Sequence, residues 1–441
     1  MDYKKNTIFA LFLSTCLFSQ SVDYGFKYKN PVDVGIDQFY LNKIDSLIKS
    51  KIEKNEVAGT SAMIVKDGAI VYEKTFGLSD IETKKSLDKN TIFAIASMSK
   101  LMTSVGALIL FDRGLFTMNT ELSTILPEFS NPDIFISFNK KTGRFKTKKA
   151  DKPILMRHLF THTSGIVYPL FTEDEFGRQG YLRANIQEAY PDMSITLEQN
   201  IINLSKVPLM HEPGEGWTYG MNMDVLGRVI EVLDGRPFAR FMKEELFDPL
   251  KLANTSFSLN ESKWNNVSKI YSDNDGGELK LFECCPNYSE KELKNIPNLH
   301  GFSIDHYKKD VNKIAMGGAD IMSTPYDYAK FLYMILNDGK IHNKQIISKK
   351  TSQLIYKPLE TLFDAENQNT AMGLSVSVVI DESKIYSRES TGTFSWGGYF
   401  YTHYWADPKE NLIGVIMSQV APTESSLNNE FQHLVYSSLM K

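Results

Sequence analysis

The sequence predicts an α+β fold in which strands from both ends of the chain form one antiparallel sheet, flanked by helices, around an inserted and mainly helical region. Three observations indicate this layout. A helix-like segment at 37–53 precedes a hairpin-like segment at 61–76. Strand patterns return only after Gly373, and a helix pattern closes the chain at 426–439. The simplest arrangement pairs the first strands with the last ones.

The N-terminal elements are predicted from the spacing of their side chains. The first helix is amphipathic, with apolar residues at Phe39, Leu41, Ile44, Leu47, Ile48 and Ile52. The hairpin turns at Asp67-Gly68, a pair that favours the tight turn between two strands. Residues 93–111 are apolar almost all round, which predicts a buried helix that ends near Arg113-Gly114.

The remaining elements follow from the same reasoning. Within a region of short helices and long loops, helices are predicted at 223–233, 238–247 and 326–336. Where β-branched, aromatic or apolar residues are concentrated, strands are predicted at 374–380, 399–405 and 412–417. Without a repeat or a linker, we expect one two-lobed unit over 22–441. Its sheet lobe comprises about 37–95 and 340–441, and its helical lobe about 96–339.

The composition excludes several classes of protein. The chain has 441 residues, of which 42% are hydrophobic and 23% charged, with a net charge of −4. That apolar content is too high for a disordered chain, and the charge offers no basic field for nucleic acid. Three cysteines are too few for a disulfide scaffold. Cys284 and Cys285 are expected to be structural, because adjacent cysteines bridge only through a strained ring. No internal apolar run reaches the ~18 residues of a membrane span.

The N-terminus predicts an export signal over 1–21. A short basic segment at Lys4-Lys5 is followed by an apolar stretch at 7–18 and by small or polar residues at 19–21. The mature protein is therefore expected to be periplasmic or secreted. Lipid attachment at Cys16 is the less favoured alternative, because the residues before it fit a lipobox only loosely.

Five Ser-x-x-Lys matches occur, and only one lies where its chemistry is useful. They begin at Ser46, Ser86, Ser97, Ser137 and Ser438. The first lies in the amphipathic N-terminal helix, and three others lie in charged segments or at the C-terminus. Only Ser97 opens a long apolar helix, with Lys100 one turn later on the same face.

This pairing suits nucleophilic catalysis. A serine hydroxyl is a weak nucleophile and needs a nearby base. A lysine three residues later can reach its oxygen, and apolar surroundings favour the neutral amine that accepts a proton. The positive end of the helix favours a developing oxyanion. The alternative is a polar patch in a core helix, but a buried lysine without a use is costly.

The segment from Phe93 to Lys100 resembles that of serine β-lactamases and penicillin-binding proteins, which carry Ser-x-x-Lys. Further segments resemble the class C branch in the same order. Leu159 to Gly165 matches the "LLTHTSG" segment. Gly214 to Gly235 matches the tyrosine-containing helix. Gly317-Gly318 with Ser323-Thr324 matches the "GG…ST" turn. The resemblance extends from about 37 to 440 and implies a β-lactamase-like fold.

Two departures from class C β-lactamases point to another branch. Their Tyr-x-Asn motif corresponds to Tyr219-Gly220-Met221, so the asparagine is replaced and Asn222 comes one residue late. Their C-terminal Lys-Thr-Gly corresponds by position to Trp396-Gly397-Gly398. A literal Lys141-Thr142-Gly143 precedes Tyr219 and so cannot be that element. The Trp-Gly-Gly form resembles the family VIII carboxylesterases.

The resemblance implies a role for each motif residue. Ser97 attacks the substrate, while Lys100 and Tyr219 share the general base and acid duties. The backbone N–H groups of Ser97 and Tyr399 form the oxyanion hole. Substrate contacts are expected from Trp396, Gly397, Gly398 and Asn222. No metal or cofactor is implied.

The two departures have a physical meaning for the substrate. Trp396 carries no charge and cannot bind a carboxylate as the lysine of Lys-Thr-Gly does. A flat apolar wall suits an uncharged acyl or alcohol group instead. Loss of the asparagine removes an amide donor for an acylamide. Both changes favour ester cleavage over penicillin hydrolysis.

Two further features are assigned to structure. His162 lies in the "LLTHTSG" match, and we expect a structural role because the base is already assigned. The basic run at 140–152 is expected to be a solvated hairpin insertion, with weak contact to an anionic envelope surface as the alternative.

The sequence therefore predicts an exported serine hydrolase, most simply a carboxylesterase of small acyl esters. Its partner is a small-molecule ester or amide. One alternative is a β-lactamase or a D-amino-acid peptidase such as a D-Ala-D-Ala carboxypeptidase, and another is an acyl transferase. A non-enzymatic penicillin- or cell-wall-binding module is a third, but a pure binder need not keep Ser97 and Lys100 together.

Overall fold

The computed structural model describes residues 25–139, 142, 144–168, 184, 186–187, 195–273, 277–282, 314–341, 343–364, 369–384 and 388–440. The expected export signal at 1–21, with Cys16, lies outside the described residues, as does the Cys284-Cys285 pair. Within the described ranges, no helix is both long and apolar enough to cross a membrane.

The described residues form helices concentrated in the middle of the chain and strands concentrated towards its ends. The α-helices are α1 Gln38–Glu53, α2 Ser99–Asp112, α3 Met156–Phe160, α4 Leu197–Leu204, α5 Asn222–Asp234, α6 Phe238–Met242, α7 Glu261–Trp264, α8 Pro325–Leu336, α9 Lys349–Ile355 and α10 Leu427–Ser437. The strands are β1 Lys27–Tyr28, β2 Gly59–Lys66, β3 Ala69–Asp80, β4 Lys85–Ser86, β5 Phe93–Ala94, β6 Asp133–Asn139, β7 Arg144–Lys149, β8 Tyr271–Ser272, β9 Lys280–Leu281, β10 Met322–Ser323, β11 Lys340–Ile341, β12 Lys344–Gln345, β13 Thr370–Met372, β14 Ser377–Val379, β15 Phe394–Gly398, β16 Thr402–Asp407 and β17 Leu412–Met417.

One nine-stranded sheet joins the two ends of the chain. Its strand order is β1-β3-β2-β17-β16-β15-β14-β13, with β4 paired to β3. Strand β1 runs parallel to β3, and the other pairs are antiparallel. At the centre of the sheet β2 pairs with β17, where Met63 lies opposite Val415. This pairing of N-terminal and C-terminal strands confirms the predicted fold class.

Helices cover both faces of the sheet. On one face, α1 and α10 contribute Ile44 and Val435 to a core that also contains Trp405. On the other face, a larger core includes Leu108 of α2 and continues into the helical region. On this face α8 packs against β2 and β17, while α2 packs against α5. Successive side chains of a strand point to opposite faces of the sheet. Tyr404 of β16 therefore belongs to the larger core, and Trp405 belongs to the smaller one.

The predicted start of the apolar helix is wrong. The helix was expected from Phe93, but α2 begins at Ser99. Phe93-Ala94 instead pairs with Met322-Ser323 as a short antiparallel strand. A continuous apolar run fits a buried strand as well as a buried helix, so its pattern alone does not separate the two.

Two predicted C-terminal strands also differ from the structure. The strand expected at 374–380 is shortened to β14 at Ser377–Val379. Residues 374–376 instead form a bend between β13 and β14, in which Ser375 has a φ of 65°. The strand expected at 399–405 begins only at Thr402, because residues 399–401 form the turn after β15. The Tyr401 N–H closes that turn by donating to the Gly398 carbonyl at 3.0 Å. The first hairpin and the strand at 412–417 are confirmed.

The packing of β17 on β16 leads to a stability prediction. A Cβ added at Gly414 would lie 2.2 Å from the ring of Trp405, its partner on β16. Gly414→Ala is therefore expected to lower the free energy of unfolding by about 1–3 kcal/mol through overpacking. Urea denaturation measures this loss.

Gly277→Ala is the matched control. A Cβ there meets no atom of the described residues within 4 Å, so its effect should stay within about 0.5 kcal/mol. Equal losses in the two variants would contradict the packing argument.

Candidate active site

Ser97 lies in a tight turn at the start of α2. The 3-10 turn Ala96–Met98 runs directly into that helix, so Ser97 precedes its first residue. Ala96 has a φ of 42°, in the left-handed region that alanine rarely adopts. Backbone strain of this kind is concentrated at functional sites. Ser97 itself is half-buried, whereas both of its neighbours are buried.

Lys100 is buried next to Ser97. Its side chain is 1% exposed, and its Nζ donates to Ser97 Oγ at 3.2 Å and to the Gly318 carbonyl at 2.8 Å. The ring centres of Tyr219 and Tyr168 lie 4.6 and 5.0 Å from the same nitrogen, within the range at which a ring face attracts a cation. These contacts on several sides fix the amine against the serine hydroxyl.

The Gly317-Gly318 pair brings its backbone close enough to meet Lys100. A Cβ at Gly318 would lie 2.0 Å from Tyr168 Oη, and one at Gly317 would lie 2.3 Å from the Met223 carbonyl oxygen. Side chains at these two positions would therefore push the loop away from the helices. The glycines let the Gly318 carbonyl act as the acceptor for the buried amine.

Tyr219 approaches Ser97 from the segment before α5. Its hydroxyl donates to Ser97 Oγ at 2.8 Å. Ser97 Oγ thus has the amine of Lys100 and the phenol of Tyr219 within hydrogen-bond reach, the distance at which proton transfer is possible. The structure therefore brings together the three residues that the sequence assigned to catalysis, Ser97, Lys100 and Tyr219.

The C-terminal end of β15 lies against the turn that carries Ser97. A Cβ at Gly398 would lie 2.3 Å from the carbonyl oxygen of Ile95, so only a glycine permits this approach. Tyr399 follows at once in the turn, and Gly397 is exposed. The segment predicted to supply the second N–H of the oxyanion hole is therefore adjacent to the Ser97 turn.

Trp396 belongs to a group of four aromatic side chains that includes Tyr219. Its ring centre lies 5.9 Å from that of Tyr219 and 6.0 Å from that of Phe363. Trp217 completes the group, 6.1 Å from Tyr219 and 5.0 Å from Phe363. Sequence reasoning missed Trp217 and Phe363. Trp217 lies two residues before Tyr219, but no spacing pattern connects Phe363 to the motifs.

Asn222 does not take the place expected for it. The side chain is fully buried as the first residue of α5. Its Oδ1 accepts from Ser164 Oγ at 2.5 Å, and its Nδ2 lies 2.9 Å from His162 Nδ1. These contacts hold the amide behind Tyr219, so the structure does not support the predicted substrate contact. Met221, at the family's asparagine position, is also fully buried.

The basic run at 140–152 forms part of the β6–β7 hairpin. Thr142 lies at its tip, while Lys141 and Gly143 of the literal Lys-Thr-Gly lie outside the described residues. Lys148 pairs with a glutamate at 2.7 Å and Lys152 with another at 2.6 Å. Part of the positive charge of this run is therefore compensated within the protein.

Asp224 lies beneath the loop that contacts Lys100, a position that sequence reasoning missed. Its Oδ1 accepts from the Gly318 N–H at 2.9 Å and its Oδ2 from Tyr168 Oη at 3.3 Å. Burial raises the pKa of Asp224 to about 6, although these hydrogen bonds and the charge of Lys100 oppose the rise. The signal in the sequence was an acidic residue on the buried face of an amphipathic helix.

In the part of the chain that the structure describes, no group of three His, Cys, Asp or Glu side chains could hold a metal ion.

The raised pKa of Asp224 predicts a pH-dependent stability. Because the folded-state pKa of about 6 lies above the ordinary 3.8, the folded protein binds the extra proton and loses stability as pH rises between these values. Between pH 4 and 7, the wild type should lose up to about 3 kcal/mol relative to Asp224→Asn. Urea unfolding at both pH values measures the difference.

Asp234→Asn on the same helix is the control. Arg236 holds the pKa of Asp234 below its ordinary value, so that carboxyl does not titrate between pH 4 and 7. Its replacement should leave the pH dependence unchanged. Parallel curves for the wild type and Asp224→Asn would contradict the buried-carboxylate argument.

Comparison with known proteins identifies the family. The chain matches the family model described as Beta-lactamase over residues 44–436. It is 25% identical over 386 residues to Esterase EstB of Burkholderia gladioli, covering 86% of this chain and 90% of that protein. It is 24% identical over 420 residues to Lovastatin esterase of Penicillium rubens, covering 89% and 98%. The solved structure of EstCE1, described as a hydrolase with promiscuous acyltransferase activity, matches with a TM-score of 0.77 and 22% identity, covering 92% of this chain and 99% of that one.

These findings confirm the resemblance inferred from the motifs. The family match spans the N-terminal sheet strands, the helices around the site and the C-terminal strands. The shared fold extends over nearly the whole length of EstCE1. The chain therefore belongs to the Beta-lactamase family and is a serine hydrolase of that superfamily.

Proposed function

We propose that the protein is an exported carboxylesterase that forms an acyl-enzyme on Ser97 and cleaves small, uncharged acyl esters. The observation that carries the proposal is the contact of Ser97 Oγ with both Lys100 and Tyr219, at 3.2 and 2.8 Å, beside the neutral ring of Trp396. Export is inferred from the pattern of residues 1–21 alone.

Acylation uses Ser97 as the nucleophile. Its Oγ attacks the ester carbonyl carbon while its proton passes to the Tyr219–Lys100 pair. The backbone N–H groups of Ser97 and Tyr399 stabilise the negative charge on the former carbonyl oxygen. The bond to the alcohol oxygen then breaks, and the same proton passes to the leaving alcohol.

Deacylation repeats these steps with water. A water molecule gives a proton to the Tyr219–Lys100 pair and attacks the carbonyl carbon of acyl-Ser97. The tetrahedral intermediate collapses, the proton returns to Ser97 Oγ, and the carboxylic acid leaves. The burial of Lys100 supports its use as part of the proton-accepting pair, because water does not compete for the amine.

The aromatic side chains favour an uncharged ester as the substrate. Trp217, Trp396 and Phe363 pack around Tyr219, and none of these three side chains carries a charge that could bind a carboxylate. Gly397 and Gly398 are proposed to let the substrate approach the strand edge. Two relatives are named esterases, which agrees with this assignment.

Acyl transfer is the second candidate. EstCE1 is described as having promiscuous acyltransferase activity. An aromatic wall can bind an alcohol acceptor and displace water, so acyl-Ser97 could pass its acyl group to that alcohol. Adding an alcohol to the ester assay and separating acid from new ester distinguishes the two outcomes.

The proposed function predicts ester hydrolysis that depends on Ser97. The purified protein should release p-nitrophenol from acetate and butyrate esters and react with a fluorophosphonate probe, while Ser97→Ala should do neither. Turnover of nitrocefin and of D-Ala-D-Ala peptides should be much slower than that of the esters. Efficient nitrocefin turnover without ester cleavage would assign a β-lactamase instead, and an unlabelled wild type would exclude a serine nucleophile.

Trp396 predicts a change in selectivity. Trp396→Lys introduces a cation where class C β-lactamases carry one, and it should lower KM for carboxylate-bearing nitrocefin by about 10-fold relative to Trp396→Gln. The glutamine variant removes the ring without adding charge and is therefore the matched control. Equal KM values in the two variants would show that position 396 does not contact the carboxylate.

A further inference from the structure

His162 contacts the backbone on both sides of Tyr219. Its carbonyl accepts the Thr218 N–H at 2.9 Å, and its Nδ1 accepts the Gly220 N–H at 3.4 Å. The ring centres of His162 and Tyr219 lie 5.0 Å apart. One residue therefore holds the backbone N–H groups of the residues immediately before and after the tyrosine.

The rest of the His162 loop strengthens this hold. The Tyr168 N–H, six residues further along, donates to the Tyr219 carbonyl at 3.2 Å. His162 has a φ of 57°, in the left-handed region, which lets its carbonyl and its ring bind the same neighbouring segment. The position of the Tyr219 hydroxyl over Ser97 thus depends on this loop.

The hydrogen bonds determine which ring nitrogen of His162 carries the proton. Ser164 donates to Asn222 Oδ1, so the Asn222 amide nitrogen faces His162 Nδ1 and donates to it at 2.9 Å. Nδ1 is therefore an acceptor, and the proton of the neutral ring lies on Nε2. Complete burial and the charge of Lys100 hold the pKa of His162 well below its usual value, so the ring stays neutral.

A pure packing role does not explain the ring. Within the described residues, His162 Nε2 is buried without a hydrogen-bond partner. An unsatisfied buried donor costs stability, and a phenylalanine would fill the same space without that cost. The nitrogen that is used is Nδ1, which faces the Tyr219 segment.

We propose that His162 is the positioning residue for Tyr219, acting through an Nδ1 that accepts from the Gly220 N–H and from Asn222. The inference rests on the proposed function, because it concerns the proton-transfer partner of Ser97. It assigns Asn222 to the same task, since Asn222 orients the histidine and does not touch the substrate.

Two substitutions separate positioning from packing. His162→Asn keeps an acceptor near the position of Nδ1 and tolerates a positive φ, but it loses the ring. His162→Phe keeps the ring and its contact with Tyr219 but has no acceptor. Positioning predicts that the asparagine variant keeps kcat within about 10-fold, whereas the phenylalanine variant loses about 10²-fold, the cost typical of a misplaced group. KM should change little in either variant.

The assay uses p-nitrophenyl butyrate, with the concentration of active sites taken from fluorophosphonate labelling and the thermal midpoint measured for each variant. Tyr219→Phe gives the reference for complete loss of the hydroxyl, roughly 10²–10⁴-fold. A phenylalanine variant as active as the asparagine variant, or more active, would overturn the proposal and leave packing as the role of His162. An inactive wild type would instead contradict the proposed function.

Discussion

The burial of one amine is the constraint on which the arrangement of the site depends. Lys100 lies in α2, and residues 99–110 of that helix are all buried. A buried amine is costly unless polar partners surround it. Those partners come from separate parts of the chain, namely Gly318, Tyr168 and Tyr219. The segments that meet at Ser97 are therefore the segments that stabilise the buried lysine.

The sheet completes the site from the opposite side. Strand β17 pairs with β2, β16 pairs with β17, and β15 pairs with β16. This order places β15, the strand that contains Trp-Gly-Gly, against the turn before α2. The close approach of Gly398 to the Ile95 carbonyl shows how tightly the two halves meet. The helical region supplies the residues that move protons, and the sheet supplies the strand edge beside them.

The sequence predicted the part of the site that depends on local spacing. Ser97 and Lys100 are one helical turn apart, and Tyr219 precedes a helix whose apolar pattern is clear. Phe363 was missed because its contact with Trp217 joins segments that no periodicity connects. The Asn222 side chain bonds to Ser164 and His162, because being near Tyr219 in the sequence does not determine which way a side chain points at the start of a helix.

The difference between local patterns and long-range contacts also explains which parts of the fold were predictable. Strands that alternate and helices that are amphipathic can be recognised from their own residues, so the sheet-and-helix layout was predictable. The short strand at Phe93-Ala94 was not, since its partner Met322-Ser323 lies far along the chain. Boundaries set by tertiary pairing or by a residue with positive φ, such as Ser375, leave no periodic signal.

The pairing of β2 with β17 also has a consequence for the order of folding. Lys66 lies opposite Leu412, so the centre of the sheet cannot form until the C-terminal strand has been synthesised. Contacts between such distant residues require closure of a long loop, which slows folding. Strand β15, which lies against the Ser97 turn, joins β2 only through β16 and β17, so this part of the site forms late.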